Sequence, residues 1–256
     1  LTITRLYRVE RDGGPTYVTE RDGVVRQVVG DPFGDFREGA ELPGGLSGVR
    51  VLAPVEPSKI VGVGLNYRAH AEEQHKPVPA EPLIFIKPST AVIGHGDAIR
   101  LPSEVGRVDH EAEVGVVIKK RAFAVPIETA GDYLLGLTCV NDVTARDLQR
   151  AEGHYTRPKG FDTFAPVGPC VALGLDPGNV HVEGWVNDER RQSSTTSDLI
   201  FAVHELVAFI TSIMTLLPGD IISTGTPSGI GPIQAGDLVR IRVAGVGELT
   251  NPVVGG

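Results

Sequence analysis

Two glutamates one residue apart, Glu111 and Glu113 in DHEAEVGVVI, are the first residues whose types and spacing can do chemistry. The stretch reads as a strand, where side chains alternate faces, so both carboxylates share a face with Cα atoms about 7 Å apart. Ala112, Val114, Val116 and Ile118 form the opposite, core-facing row. Like charges this close, beside an apolar run, need water, a proton or a cation. A third acid, Asp142, stands where the apolar run GLTCV ends, and strand ends commonly display sites. Three carboxylates offer only oxygen donors, which suits a hard dication such as Mg2+, with Mn2+ and Ca2+ also fitting. On spacing alone the commoner arrangement is an ExE pair on the solvent face of a half-exposed strand, and both readings stand at this point.

His70 and Glu73 in NYRAHAEEQH lie three apart. On a helix they share a face, and a carboxylate on one ring nitrogen raises the basicity of the other, making His70 a base toward water. A solvated polar loop has the same spacing and is the commoner case. Arg146, soon after Asp142, carries a planar guanidinium that can grip a carboxylate with two N–H groups, or pair with Asp147 on the surface. Thr226, in the TGTPSG loop, can offer hydroxyl and backbone N–H donors to a carboxylate. That loop lacks the lysine of a phosphate-binding loop, and turn chemistry alone also explains it. Lys159 in RPKGFDT reads, by itself, as a solvated loop lysine.

The elements that must position these groups are mostly strands. TYVTERDGVVRQVV predicts a hairpin turning at Asp22-Gly23, and VHVEGWVNDERRQSSTT another near Asn187-Asp188. One long helix is expected, with apolar Leu199, Val203, Leu206, Ile210, Ile213 and Leu217 at helical spacing. Ser197 or Asp198 caps its start and Pro218-Gly219 ends it. Pro54 and Pro57 suggest a linker, dividing a small N-terminal β region (1–56) from the main body (57–256). With no βαβ repeat and no GxGxxG before a helix, the class is α+β, mostly β.

The 256 residues carry a net charge of -8, with a pI near 5.4 and no basic run, which argues against nucleic acid or anionic lipid as the main partner. No stretch reaches the ~18 continuous apolar residues of a membrane span. The opening LTITRLYRVE lacks the apolar core of a signal peptide, so a cytoplasmic location is expected. Leu1 in place of Met reads as a trimmed or differently numbered start. Cys139 and Cys170 sit in apolar surroundings without CxxC spacing and read as buried free thiols.

Six segments, GLNYRAHAEE, IFIKPSTAVIG, VDHEAEVGVVI, NDVTARDLQ, PKGFDTFAPVGP and STGTPSGIGP, occur in this order over roughly residues 58 to 254. Together they resemble the fumarylacetoacetate hydrolase superfamily, and the short N-terminal region is similar to that of its smaller bacterial members. The resemblance implies a mixed β-sandwich roll, usually a homodimer, with a divalent metal, commonly Mg2+, held by Glu111, Glu113 and Asp142. It implies that His70 and Glu73 form a dyad on a lid over the substrate, that Lys159 contacts substrate oxygens or an enolate, and that Gln149 lies near the dyad. Lys87 matches the family's KPS motif with no chemical role assigned, and His75 falls outside the motif. The implied activity is on a small anionic 2-oxo acid, with hydrolysis of a C–C bond in an acylpyruvate-type substrate as the leading reaction. Decarboxylation and isomerisation of the 2-hydroxyhepta-2,4-diene-1,7-dioate type share the enolate and stay open, as does a non-catalytic metal-stabilised binding protein.

Overall fold

In the computed structural model, which describes residues 3–11 and 13–256, the chain opens with a meander of β1 (Thr4–Arg11), β2 (Gly14–Arg21), β3 (Val24–Gly30) and β4 (Phe36–Glu41). Leu1, Thr2 and Asp12 lie outside the described residues, and the reading of Leu1 as a trimmed start lies there with them. Asp22 (φ 53°) and Gly23 (φ 81°) take left-handed conformations between paired Arg21 and Val24. Two such residues make a turn whose twist matches the flanking strands, which is why Asp-Gly marks a hairpin. Asn187 (φ 55°) serves the second hairpin, between paired Val186 and Glu189.

The chain continues through β5 (Lys59–Gly64), α1 (Arg68–Glu73), β6 (Leu83–Pro88), β7 (Val92–Ile93), β8 (Ile99–Leu101), β9 (Val108–His110) and β10 (Ala112–Ile118). Next come β11 (Leu134–Asn141), β12 (Thr144–Ala145), α2 (Arg146–Glu152), α3 (Thr156–Lys159), β13 (Ala165–Leu173), β14 (His181–Val186) and β15 (Glu189–Thr195). α4 (Val203–Ile213), β16 (Ile221–Ser223), β17 (Gly231–Pro232), β18 (Leu238–Val243) and β19 (Gly247–Gly255) complete it.

One long sheet runs β4-β3-β2-β1-β13-β11-β10-β16-β5-β6, with β7 beside β13. The pairing of β1 with β13 makes the N-terminal meander an extension of that sheet. A second sheet, β15-β14-β18-β19-β8, supplies buried Val182, Ile241, Val243 and Leu249 to the core shared with Val114, Val116 and Cys139 of the first. β10 lies between β11 and β16 and is buried along its whole length, so its apolar residues face core on both sides. Cys139 and Cys170 are buried free thiols. No helix is long and apolar enough to cross a membrane.

The expected long helix is shorter than its apolar spacing suggests. α4 spans Val203–Ile213 and buries Val203, Leu206, Val207 and Ile210. Upstream, the backbone N–H of Ile200 donates to the Asn66 carbonyl and that of Phe201 to Asn66 Oδ1, holding the chain extended. The helix therefore starts where Glu205 accepts the Ala202 N–H, at 2.7 Å. Downstream, Leu216 forms a bridge with Ala122 instead of a further helical turn. Tertiary partners override the local period at both ends.

Candidate functional site

Glu111 occupies the break between β9 and β10, Glu113 is the second residue of β10, and Asp142 follows β11. Two hydrogen bonds bring the segments together: Asp142 N–H donates to the Glu111 carbonyl (2.9 Å), and Glu111 N–H donates to the side-chain Asn141 Oδ1 (3.0 Å). One oxygen from each carboxylate then lies within 4.8 Å of the others. All three are buried, at 4%, 2% and 1% exposure, which excludes the solvent-face reading of the ExE pair. The expected face is retained, but it looks into a cleft.

Buried charges persist only when paired. Lys159 Nζ, at the end of α3, donates to Glu111 (2.9 Å), Thr144 (2.8 Å) and Asp142. Lys87 Nζ donates to Asp142 Oδ1 (2.5 Å) and the Val143 carbonyl (3.1 Å). Arg146 donates to Asp109 (2.8 Å), and also to Glu111 and Gln149. Burial alone would raise the Glu111 carboxyl, but Lys159 and Arg146 hold it well below the usual carboxylate range. Glu113 has no such cation. Its Oε2 accepts only Ser223 Oγ–H (2.5 Å) and the Gly225 N–H (3.0 Å), and burial with the charges of Asp142 and Glu111 pushes it up to about 8. Burial and the charge of Lys159 push Lys87 down, whereas Asp142 and Glu111 outweigh burial to raise Lys159.

The donor set fits a hard divalent ion. Asp109 is met by Arg146 and Arg107, Glu111 by Lys159 and Arg146, and Asp142 by Lys87 and Lys159, whereas, among the described residues, Glu113, a candidate ligand, has no cation of its own. A dication would make the centre net positive, which suits an anion in the cleft.

His70 and Glu73 lie on α1, so their spacing does correspond to a shared helical face. His70 Nδ1 is 2.8 Å from Glu73 Oε2, and Glu73 Oε1 accepts the Gly229 N–H at 2.8 Å. With Nδ1 on that carboxylate, Nε2 is the ring nitrogen left for the cleft that His70 lines. Burial alone would raise Glu73, but the hydrogen bonds from His70 and Gly229 leave it below its ordinary value. One cleft wall is Phe85, stacked on Tyr155 with centroids 5.0 Å apart, with Lys159 Nζ 4.8 Å from the Phe85 centroid. Gly62 makes room for it, since a Cβ there would sit 2.3 Å from the Phe85 ring.

His70, the three acids, Arg146, Gln149, Lys159 and Thr226 all border this single cleft, and Glu73 stands behind His70 at its rim. Two differ from expectation in how they are used. The Arg146 fork is engaged by Asp109, Glu111 and Gln149, which makes it a brace for Glu111. The Thr226 hydroxyl donates to the Ala112 carbonyl (2.9 Å) and accepts from Gln192 (2.7 Å). Sequence reasoning gave Lys87 no role and passed over Phe85 and Tyr155. The signal lies in LIFIKP: Phe85 and Lys87 alternate on one face, and that face turns inward while Ile86 is 45% exposed.

The fumarylacetoacetate (FAA) hydrolase C-terminal family model matches residues 59–254. The solved 5-carboxymethyl-2-hydroxymuconate delta-isomerase from Mycobacterium smegmatis is 44% identical, with a TM-score of 0.91 over 98% of this chain and 100% of that one. Maleylpyruvate hydrolase from Sphingobium sp. SYK-6, solved with manganese(II) and pyruvate, is 31% identical, with a TM-score of 0.81 over 98% and 99%. Mitochondrial oxaloacetate tautomerase fahd2 of Xenopus laevis is 39% identical over 221 residues, 81% of this chain and 69% of that protein. With most of its length matched and its motifs in the family's order, this chain belongs to the fumarylacetoacetate hydrolase family.

Proposed function

We propose that the protein is a divalent-metal-dependent enzyme acting on 2-oxo acids, hydrolysing a C–C bond of an acylpyruvate-type substrate. The observation that carries this reading is the His70–Glu73 pair on the same cleft as the three carboxylates, because binding alone has no need of an oriented base. Glu111, Glu113 and Asp142 would hold the ion, with Mg2+ the expected metal and Mn2+ or Ca2+ compatible with the same oxygens. When bound, the ion supplies Lewis acidity toward the oxygens of the 2-oxo acid. His70 Nε2 takes a proton from water, and the resulting hydroxide adds to the distal carbonyl. The C–C bond then breaks, its electron pair passing into the enolate of the 2-oxo acid fragment. The Lys159 ammonium offsets that developing charge, and a proton returned to carbon completes the reaction.

A second reading, isomerisation or keto–enol tautomerisation, is favoured by the higher identity to the solved isomerase (44%) than to the hydrolase (31%). There His70 removes a proton from carbon beside the carbonyl, the proton is returned to the enolate oxygen or to a more distant carbon, and no water is consumed. The Mg2+-loaded protein, incubated separately with acetylpyruvate, oxaloacetate and a 2-hydroxydienoate, separates the two. Pyruvate and acetate released from acetylpyruvate support hydrolysis; acetylpyruvate left intact while the others isomerise or tautomerise removes it. His70→Ala should lower turnover about 10²- to 10⁴-fold with metal retained. Unchanged turnover would remove the dyad from either reaction.

A further inference from the structure

A buried side chain of the second sheet reaches the site from behind, and the chemistry above makes no use of it. Gln192 lies on β15 and is 1% exposed. Gly184 pairs with Gln192 and Trp185 with Arg190, so Arg191 is the extra residue of a β-bulge. A bulge bends its strand and re-aims the side chains beside it. Gln192 points inward through a gap that Gly184 leaves open: a Cβ on Gly184 would lie 2.7 Å from Gln192 Oε1 and 3.0 Å from the Ala112 Cβ. At its far end, Oε1 accepts the Ala112 N–H (2.9 Å), and Nε2 donates to Thr226 Oγ1 (2.7 Å) and to the Pro227 carbonyl (2.8 Å). With an N–H facing one end of the amide and a carbonyl facing the other, only one orientation satisfies both.

These contacts join the two halves of the site. Ala112 separates Glu111 from Glu113, and β16 pairs with β10 over Gly115–Val117, so the edge of β10 at Ala112 lies beyond that ladder. Gln192 and Thr226 stand there in place of a strand, one on the Ala112 N–H and the other on its carbonyl (2.9 Å). Holding both backbone groups of Ala112 fixes the direction in which the flanking carboxylates leave the chain. On the other side, the Pro227 carbonyl stands two residues before Gly229, whose N–H holds Glu73. Gly229 (φ 99°) lies so close to β15 that a Cβ would sit 1.9 Å from the Arg191 carbonyl oxygen and 3.3 Å from Gln192 Cγ. We propose that Gln192 is a positioning residue that locks the Glu111–Glu113 segment to the loop supporting the His70–Glu73 dyad. It acts on the ion through Ala112 and on the dyad through Pro227, and touches neither substrate nor metal. This rests on the metal-dependent reading above.

Gln192→Met keeps the length of the side chain and removes its amide. Mg2+ titrated into this variant by calorimetry should bind about tenfold more weakly than to the wild type. At saturating Mg2+, with whichever of acetylpyruvate, oxaloacetate or a 2-hydroxydienoate the wild type turns over, kcat should also fall about tenfold. A residue that acts through the dyad loses its effect when the dyad is gone, so in the His70→Ala background Gln192→Met should change kcat by less than about twofold. Gly184→Ala presses on the amide without removing it and carries the test if the Met variant does not fold, with both losses then about threefold. Unchanged Mg2+ affinity in Gln192→Met, or in Gly184→Ala where that variant stands in, overturns the positioning role alone. So does a kcat loss of equal size with and without His70. Failure of the wild type to bind Mg2+ or Mn2+, or to turn over any of the three compounds, overturns the metal-dependent reading and the positioning role with it.

Discussion

Glu73 uses its two oxygens on different parts of the chain, one orienting His70 within its own helix and one holding the Gly229 N–H. Its carboxyl lies below its ordinary value when folded, so its stabilisation is present above the unfolded value of about 4.3 and is lost as pH falls through the lower folded value. Because the side chain is 30% exposed, solvent screening keeps the contribution near ~1 kcal/mol. Glu73→Gln should therefore unfold at lower urea concentration than the wild type at pH 7. The gap should close as pH is lowered toward 3. A gap of equal size at pH 3 would assign Glu73 a packing role instead of a charged one.

At the scale of elements, Asn66 joins three of them. Its side chain donates to the Thr224 (2.8 Å) and Phe201 (3.1 Å) carbonyls and accepts the Phe201 N–H (2.8 Å), just before α1 begins. The helix carrying the dyad is thus tied to the end of β16, whose following loop supports Glu113. Asn66→Ala should leave these backbone groups without partners and destabilise the protein by about 2–4 kcal/mol, measured by denaturant unfolding. Cleavage of residues 65–76 by protease should accelerate as α1 loosens. A stability change below about 0.5 kcal/mol would mean that Asn66 does not hold the junction.

Across the whole molecule, the site is assembled from segments that only the long sheet and its crossovers bring together. Ions binding there should stabilise the entire fold. At a hundredfold excess over its dissociation constant, Mg2+ or Mn2+ adds about 2.7 kcal/mol, raising the melting temperature by roughly 5–10 °C for a chain of this size. Glu113→Gln should remove most of this shift, because it takes away a candidate ligand while leaving the Lys87 and Lys159 pairs intact. No ion-dependent shift in the wild type would rule out the three carboxylates as a metal site.

Both hairpin turns and the strand-rich class were legible in the residues alone, whereas the carboxylate trio and the His–Glu pair emerged only from the six motifs together, since spacing by itself left a solvent face and a polar loop open. Each is a short-range or motif-borne signal, in which spacing within a strand, turn or helix dictates which side chains share a face. What only the tertiary structure decided is which partner each charge finds. Lys87 carries no chemical role in the sequence reading, yet it meets Asp142 55 positions away, in an interior where an unpaired ammonium would be costly. Arg146 offers a fork that any carboxylate could fill, and Asp109 and Glu111 fill it. The same holds for α4, which ends where Asn66 and Ala122 capture its flanks. Local propensity is set by neighbours in the chain, whereas pairing of buried charge and backbone is set by neighbours in space.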